Sequence, residues 1–151
     1  MTIDDLLARE AIRHTMHSYN IAGDSLRWSE FVALFTEDGI LELQAFRNIE
    51  AFRHEGRDAL RAWSEGHGRM RETAQKKGGE GAFVRHQLST SKIDLTGPDT
   101  AQARTYFTVY TQIGPDHTGD YIDRYRKIED QWLIAHREIR LRWMSPLKSA
   151  E

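Results

Sequence analysis

The sequence predicts an α+β fold. N-terminal helices pack into the concave face of a strongly curved antiparallel sheet, forming a cone-shaped α+β barrel with an interior pocket. Two observations carry most of this expectation. Apolar residues recur at helical spacing through the first third of the chain, and the second half alternates strand-forming runs with turn sequences. Strands joined by short turns pair antiparallel, and long ones curve.

Thr2 and Asp5 have the spacing of a capping box, with the acid near the helix N-terminus. Ala8, Ile12, Met16 and Tyr19 follow at steps of four, four and three, which is one face of a helix. Gly23 suits the left-handed residue that ends it. A second helix is expected from about Ser25, with Trp28, Phe31, Val32 and Phe35 on its apolar side, closing at Thr36-Glu37-Asp38-Gly39. Residues 40–46 read as a strand and 56–65, with Leu60 and Trp63, as a third helix. The stretch 66–81 holds five glycines and several charges, and reads as a mobile loop able to serve as a lid.

Strands are expected at 83–95, 101–113, 121–128 and 131–143. Turns fall at Gly97-Pro98-Asp99-Thr100, Gly114-Pro115-Asp116 and Glu129-Asp130. The apolar set Phe107, Val109 and Trp143 is expected on the convex face, where it would support a homodimer or homotrimer.

Composition excludes several classes. The chain has 151 residues and 17.5 kDa, the size of one domain. Its AVILMFWYC content of 39% is enough for a core, so disorder is not expected. A net charge of −2 argues against a nucleic-acid surface. With no cysteine there is no disulfide, thiolate metal site or cysteine nucleophile. The acidic start lacks a signal peptide, no run approaches the ~20 apolar residues of a spanning helix, and Ser149-Ala150-Glu151 carries no lipidation signal. A cytoplasmic protein without a membrane partner is the expectation.

Phosphate-loop, dinucleotide-binding and nucleophile-elbow patterns are absent. His54-Glu55 opens like a zincin motif, but position 58 is Asp58. His14 and His17 lack an evident third metal ligand and read as solvated helix residues. Three residues are better candidates for chemistry. Tyr19 continues the buried stripe, so its hydroxyl needs a partner or a substrate. Asp24 is either a cap for the next helix or a buried carboxylate. His86, after Arg85, is either inert or a base, since neutral imidazole accepts a proton near pH 7. Tyr106, Thr108 and Tyr110 share one strand face, and Tyr121, Asp123 and Tyr125 another. Asp123 and Arg137 either line a pocket or pair with each other. Arg124, Arg126 and Lys127 read as a solvated basic face.

The chain resembles the SnoaL-like branch of the nuclear transport factor 2-like superfamily. The residues that carry the resemblance are Arg9-Glu10-Ala11-Ile12, Tyr19, Asp24, Trp28 and Leu34-Phe35-Thr36-Glu37-Asp38-Gly39. They continue with Arg85-His86-Gln87-Leu88-Ser89-Thr90, Gly119-Asp120-Tyr121-Ile122-Asp123-Arg124-Tyr125 and Gln131-Trp132-Leu133-Ile134-Ala135-His136-Arg137. It looks most like the scytalone dehydratase, bile-acid 7α-dehydratase and hexachlorocyclohexane dehydrochlorinase group. That resemblance implies an Asp–His pair at Asp24 and His86, with Tyr19 as a third catalytic residue. Trp28, Tyr110, Tyr121, Asp123 and Arg137 are the expected substrate-binding residues, and the resemblance implies a small apolar oxygenated ligand, such as a steroid, polyketide or phenolic compound. The activity implied is a dehydratase-like lyase using neither cofactor nor metal. A ketosteroid-isomerase-like isomerase or polyketide cyclase, and a non-catalytic binding or assembly module, stay open beside it. The separation from Asp24 to His86 is long for the group, with the surplus in the glycine-rich stretch. His117 falls in an expected turn and takes no role.

Overall fold

A computed structural model describes residues 1–147; the Ser149-Ala150-Glu151 ending read above lies outside the described residues. Thr2 caps the first helix, α1 (Ile3–Asp24). Its hydroxyl accepts from the Asp5 N–H at 3.1 Å, and the Asp5 carboxylate accepts from the Thr2 N–H at 2.8 Å. Two otherwise unpaired donors are satisfied reciprocally. The expected stripe of Ile12, Met16 and Tyr19 is buried. The Thr15 hydroxyl donates to the Trp132 carbonyl at 2.6 Å and fastens the helix to the sheet.

Gly23 does not end α1 in a left-handed conformation. It is helical, the helix continues through Asp24, and Leu26 takes the positive φ of 59°. The next helix, α2 (Trp28–Ala33), is shorter than expected. Phe35 through Gly39 belong instead to β1 (Phe35–Leu43), because backbone pairing with the last strand outweighs their helical spacing. The register shifts between Phe35 and Ile40, and Gly39 sits in this bulge. A Cβ there would lie 2.9 Å from Phe35 Cβ and 3.1 Å from the Ile134 carbonyl.

β2 (Phe52–Glu55) precedes α3 (Arg57–Lys77). The expected loop at 66–81 is thus largely helix, and only the short connection after Lys77 remains, with Gly79 and Gly81 at positive φ. Helical spacing of the buried residues Leu60, Ser64 and Gly68 explains the difference: the inward face is apolar or small, and the many charges lie outside. Gly68 permits close packing against α2, since a Cβ on it would fall 2.2 Å from Trp28 Nε1. Overpacking of this kind costs about 1–3 kcal/mol. Helix propensity would return only about 1 kcal/mol. Gly68→Ala is therefore expected to lower the urea midpoint; an unchanged or higher midpoint would show that the Trp28 indole moves aside freely.

The remaining strands are β3 (Val84–Gly97), β4 (Thr100–Thr111), β5 (Gly114–Ile128) and β6 (Gln131–Met144). The sheet order is β2-β1-β6-β5-β4-β3. Neighbours are antiparallel except β1 and β6, which run parallel and so join the first long strand to the last. Bulges in β3, β5 and β6 let these long strands curve around the helices. Among the described residues, no helix is long and apolar enough to cross a membrane.

The parity of β4 corrects one expectation. Phe107 and Val109 point inward and are buried, rather than lying on the convex face. Trp143, 40% exposed, is the member of that set left outside. The outer face instead carries ion pairs, including Arg104 and Arg142 on Asp120 and Arg53 on Glu42.

Candidate active site

Asp24 ends α1 and His86 lies near the start of β3, so the packing of α1 on the sheet brings them together. Asp24 Oδ1 lies 2.6 Å from His86 Nδ1, and Oδ2 accepts from the His86 backbone N–H at 2.8 Å. The second bond fixes the carboxylate against the strand, and the first fixes the ring. Asp24 is therefore not a cap; the residue before α2 is Arg27, which makes no side-chain cap. Burial pushes the Asp24 pKa up, but the His86 hydrogen bonds and the charges of His86 and Arg71 outweigh it and hold the carboxyl below its ordinary value.

The pair opens onto a cavity of about 390 Å³. Trp28, Phe31, Phe52, Trp63, Phe107 and Tyr121 contribute an aromatic lining. Trp63 stacks on His67 with ring centroids 4.8 Å apart, while Phe107 stacks on Tyr121 at 4.4 Å. Tyr19 also lines the cavity. Burial raises its pKa to about 12 against the lowering effect of Arg137, so it stays a hydroxyl donor at neutral pH.

The structure separates the remaining expected residues. Trp28 and Tyr121 face the cavity. Tyr110 does not, because it shares the outer face of β4 with Tyr106 and Thr108. Asp123 and Arg137 pair directly opposite one another on β5 and β6, behind the cavity wall rather than in it. Arg137 donates to Asp123 at 2.9 and 2.8 Å, and both side chains are fully buried. Its guanidinium carbon lies 4.2 Å from the Tyr19 ring centroid and 3.9 Å from that of Tyr121. The ion pair thus supports two cavity residues from below. His14 and His17 are exposed on α1.

Sequence reasoning missed His67, Arg71 and His117. The first two lie in the stretch read as a loop; their spacing from Leu60 and Ser64 was the available signal. His117 is in β5, not in a turn, and lines the cavity with Nδ1 2.7 Å from Asp116. Its pKa is lowered by burial, against the raising effect of Asp116.

His67 has a consequence for acid stability. Burial, then the charges of Arg71 and His86, lower its pKa from 6.5 to about 4. Between those values the unfolded chain binds a proton that the folded protein refuses. Stability therefore falls as pH drops from about 6.5 to about 4, by about 1–3 kcal/mol from this group. His67→Gln is expected to flatten that part of the stability–pH curve in urea titrations. An unaltered slope would refute the assignment.

A curved sheet closed by helices, with a carboxylate–imidazole pair in an aromatic cavity, defines a class of small-molecule α+β barrels. The SnoaL-like domain model matches residues 4–138, and the chain belongs to that family. No functionally curated protein sequence matches significantly. Among solved structures, a candidate scytalone dehydratase from Novosphingobium aromaticivorans is 26% identical with a TM-score of 0.72, covering 100% of this chain and 96% of that one. A nuclear transport factor 2-like protein from the same organism is 25% identical with a TM-score of 0.73, over 93% and 86% of the two chains. The protein LinA shares the fold, with a TM-score of 0.76 at 13% identity over 96% and 92%.

Proposed function

We propose that this chain is a cofactor-independent lyase that eliminates a small leaving group from an apolar, oxygenated ring compound. The observation that supports it most directly is the Asp24–His86 contact at 2.6 Å in an aromatic cavity. Asp24 takes a hydrogen bond from Nδ1, which leaves Nε2 as the base. In this reading Nε2 removes a proton from carbon beside a carbonyl, or from the vinylogous position. The C–H electron pair moves into the carbonyl, and the Tyr19 hydroxyl donates to the oxygen as it gains charge. The electrons then return, the bond to the leaving hydroxyl breaks, and the protonated imidazole gives its proton to that oxygen. Water departs and His86 is neutral again. Asp24 stabilises the imidazolium in between. The sequence moves one proton out and one back, so it needs no oxidant or reductant. The likeness to a candidate scytalone dehydratase, at 26% identity, supports the lyase reading.

The test is incubation in D₂O with a panel of cyclic β-hydroxy ketones and unsaturated ketones, followed by ¹H NMR. The expected result is loss of water from a hydroxy ketone, dependent on His86. Migration of the double bond without loss of water would make the chain an isomerase. Binding without deuterium uptake or reaction, in wild type as in His86→Gln, would make it a binding module.

A further inference from the structure

Among the described residues, α1 leaves more large apolar side chains in solvent than any other element. Ile3 is 75% exposed, and Leu7 and Ile21 are each 62% exposed. These three lie on the side of the helix opposite Ile12, Met16 and Tyr19, so the sheet cannot cover them.

Their spacing is regular. Ile3, Leu7, Glu10, His14, His17 and Ile21 follow at steps of four, three, four, three and four, and all six are exposed. Alternating steps of this kind make the seam of a coiled coil, with Ile3, Glu10 and His17 at d positions and Leu7, His14 and Ile21 at a positions. The seam starts at the first residue of α1 and ends one turn before Asp24. Within the chain, the side chains of Glu10, His14 and His17 make no hydrogen bond or ion pair among the described residues.

The seam is complementary to a reversed copy of itself. In an antiparallel pair each a position meets a d position. The layers are then Ile3 on the partner's Ile21, Leu7 on the partner's His17, and Glu10 on the partner's His14. All of them share one midpoint, so a single two-fold axis generates every layer twice, as an isologous contact requires. The two ends are apolar on apolar. At the centre a carboxylate meets an imidazole, whose N–H can donate to it whether or not the ring is charged. A parallel pair would set Glu10 on the partner's Glu10, where like charges repel. Charge and shape therefore both select a second copy in the antiparallel sense.

We propose that the outer face of α1 is a self-association surface, through which two copies of this chain pair antiparallel in this register. The contact is on a helix, not on the outer sheet face where the sequence placed it. It uses no cavity residue, so it stands or falls apart from the lyase reading. Six seam residues a side make a small interface, and dissociation in the micromolar range is expected.

The test combines sedimentation equilibrium with cross-linking. Wild type, run from about 1 µM to about 1 mM, is expected to show a monomer–dimer equilibrium. Ile21→Glu sets a carboxylate against the partner's Ile3 and should weaken the dimer about tenfold or more. Glu10→Lys and His14→Glu should each weaken it, and the two combined should restore it by exchanging the charges. The chain has no cysteine, so introduced thiols can be read without background. An equimolar mixture of Ile3→Cys and Ile21→Cys is expected to oxidise to a covalent dimer of the two variants. Neither variant alone should cross-link, because like positions lie about 27 Å apart along an antiparallel pair. A wild type that stays monomeric throughout overturns the proposal. A dimer untouched by Ile21→Glu does so too, since the contact would then be on another face. Efficient cross-linking of Ile3→Cys alone would make the pair parallel and is equally fatal. Should Ile21→Glu fail to fold by circular dichroism, the charge exchange and the cross-linking decide.

Discussion

His86→Gln is expected to lower kcat/KM for elimination by about 10²- to 10⁴-fold, the range of a positioned general base. Asp24→Asn is expected to fall within the same range. An amide can still approach Nδ1, but it cannot stabilise the imidazolium and can hold the ring in the wrong tautomer. The sharper expectation concerns the double variant. If the two residues act as one unit, Asp24→Asn with His86→Gln is no slower than His86→Gln alone. Losses that multiply would mean independent roles and would end the dyad mechanism. The pair also carries a pH signature in stability. The Asp24 carboxyl is held below its ordinary value of 3.8, so its stabilising contribution is present above that value and lost as pH falls through the folded one. The stability difference between wild type and Asp24→Asn should therefore narrow at the acid end of a urea–pH series.

The largest stability effect is expected behind the cavity. Asp123→Ala leaves the fully buried Arg137 without its counterion. Breaking one side of such a pair costs about 3–5 kcal/mol, because the remaining charge has neither water nor partner. For a chain of this length that lowers Tm by roughly 10 °C. Asp123→Leu combined with Arg137→Met removes both charges and should recover most of the loss. The Tyr125 hydroxyl, which donates to Asp123 at 3.0 Å and accepts from Arg137 at 3.2 Å, would then lack partners, so recovery is not expected to be complete. A loss under about 1 kcal/mol for Asp123→Ala would show that water reaches Arg137.

The legible parts of this molecule are those governed by local rules. The Thr2–Asp5 box needs only a three-residue spacing, and the stripe on α1 needs only helical periodicity. The turns after β3 and β5 follow from residue type. Errors fall where a local signal competes with a distant partner. Phe35 fits a helical face, but the pairing of β1 with β6 takes it into the sheet. Glycines at 66 and 68 look like loop residues, yet Gly68 is helical and lies where a side chain would meet Trp28. That misreading also hid His67 and Arg71, and with them part of the cavity chemistry.

The sequence by itself determined the order of helices and strands apart from β2, the absence of cysteine chemistry and the short list that held Tyr19, Asp24 and His86. These depend on spacing and residue type along the chain. Only the tertiary structure decided that Asp24 lies against His86 across 62 residues, that β1 joins β6 in parallel, and that Asp123 and Arg137 spend their charges on each other. It also decided that Arg71 lines the cavity beside Asp24. Each of these is a contact between residues far apart in the chain. Its existence depends on strand register and helix packing, which no local pattern encodes.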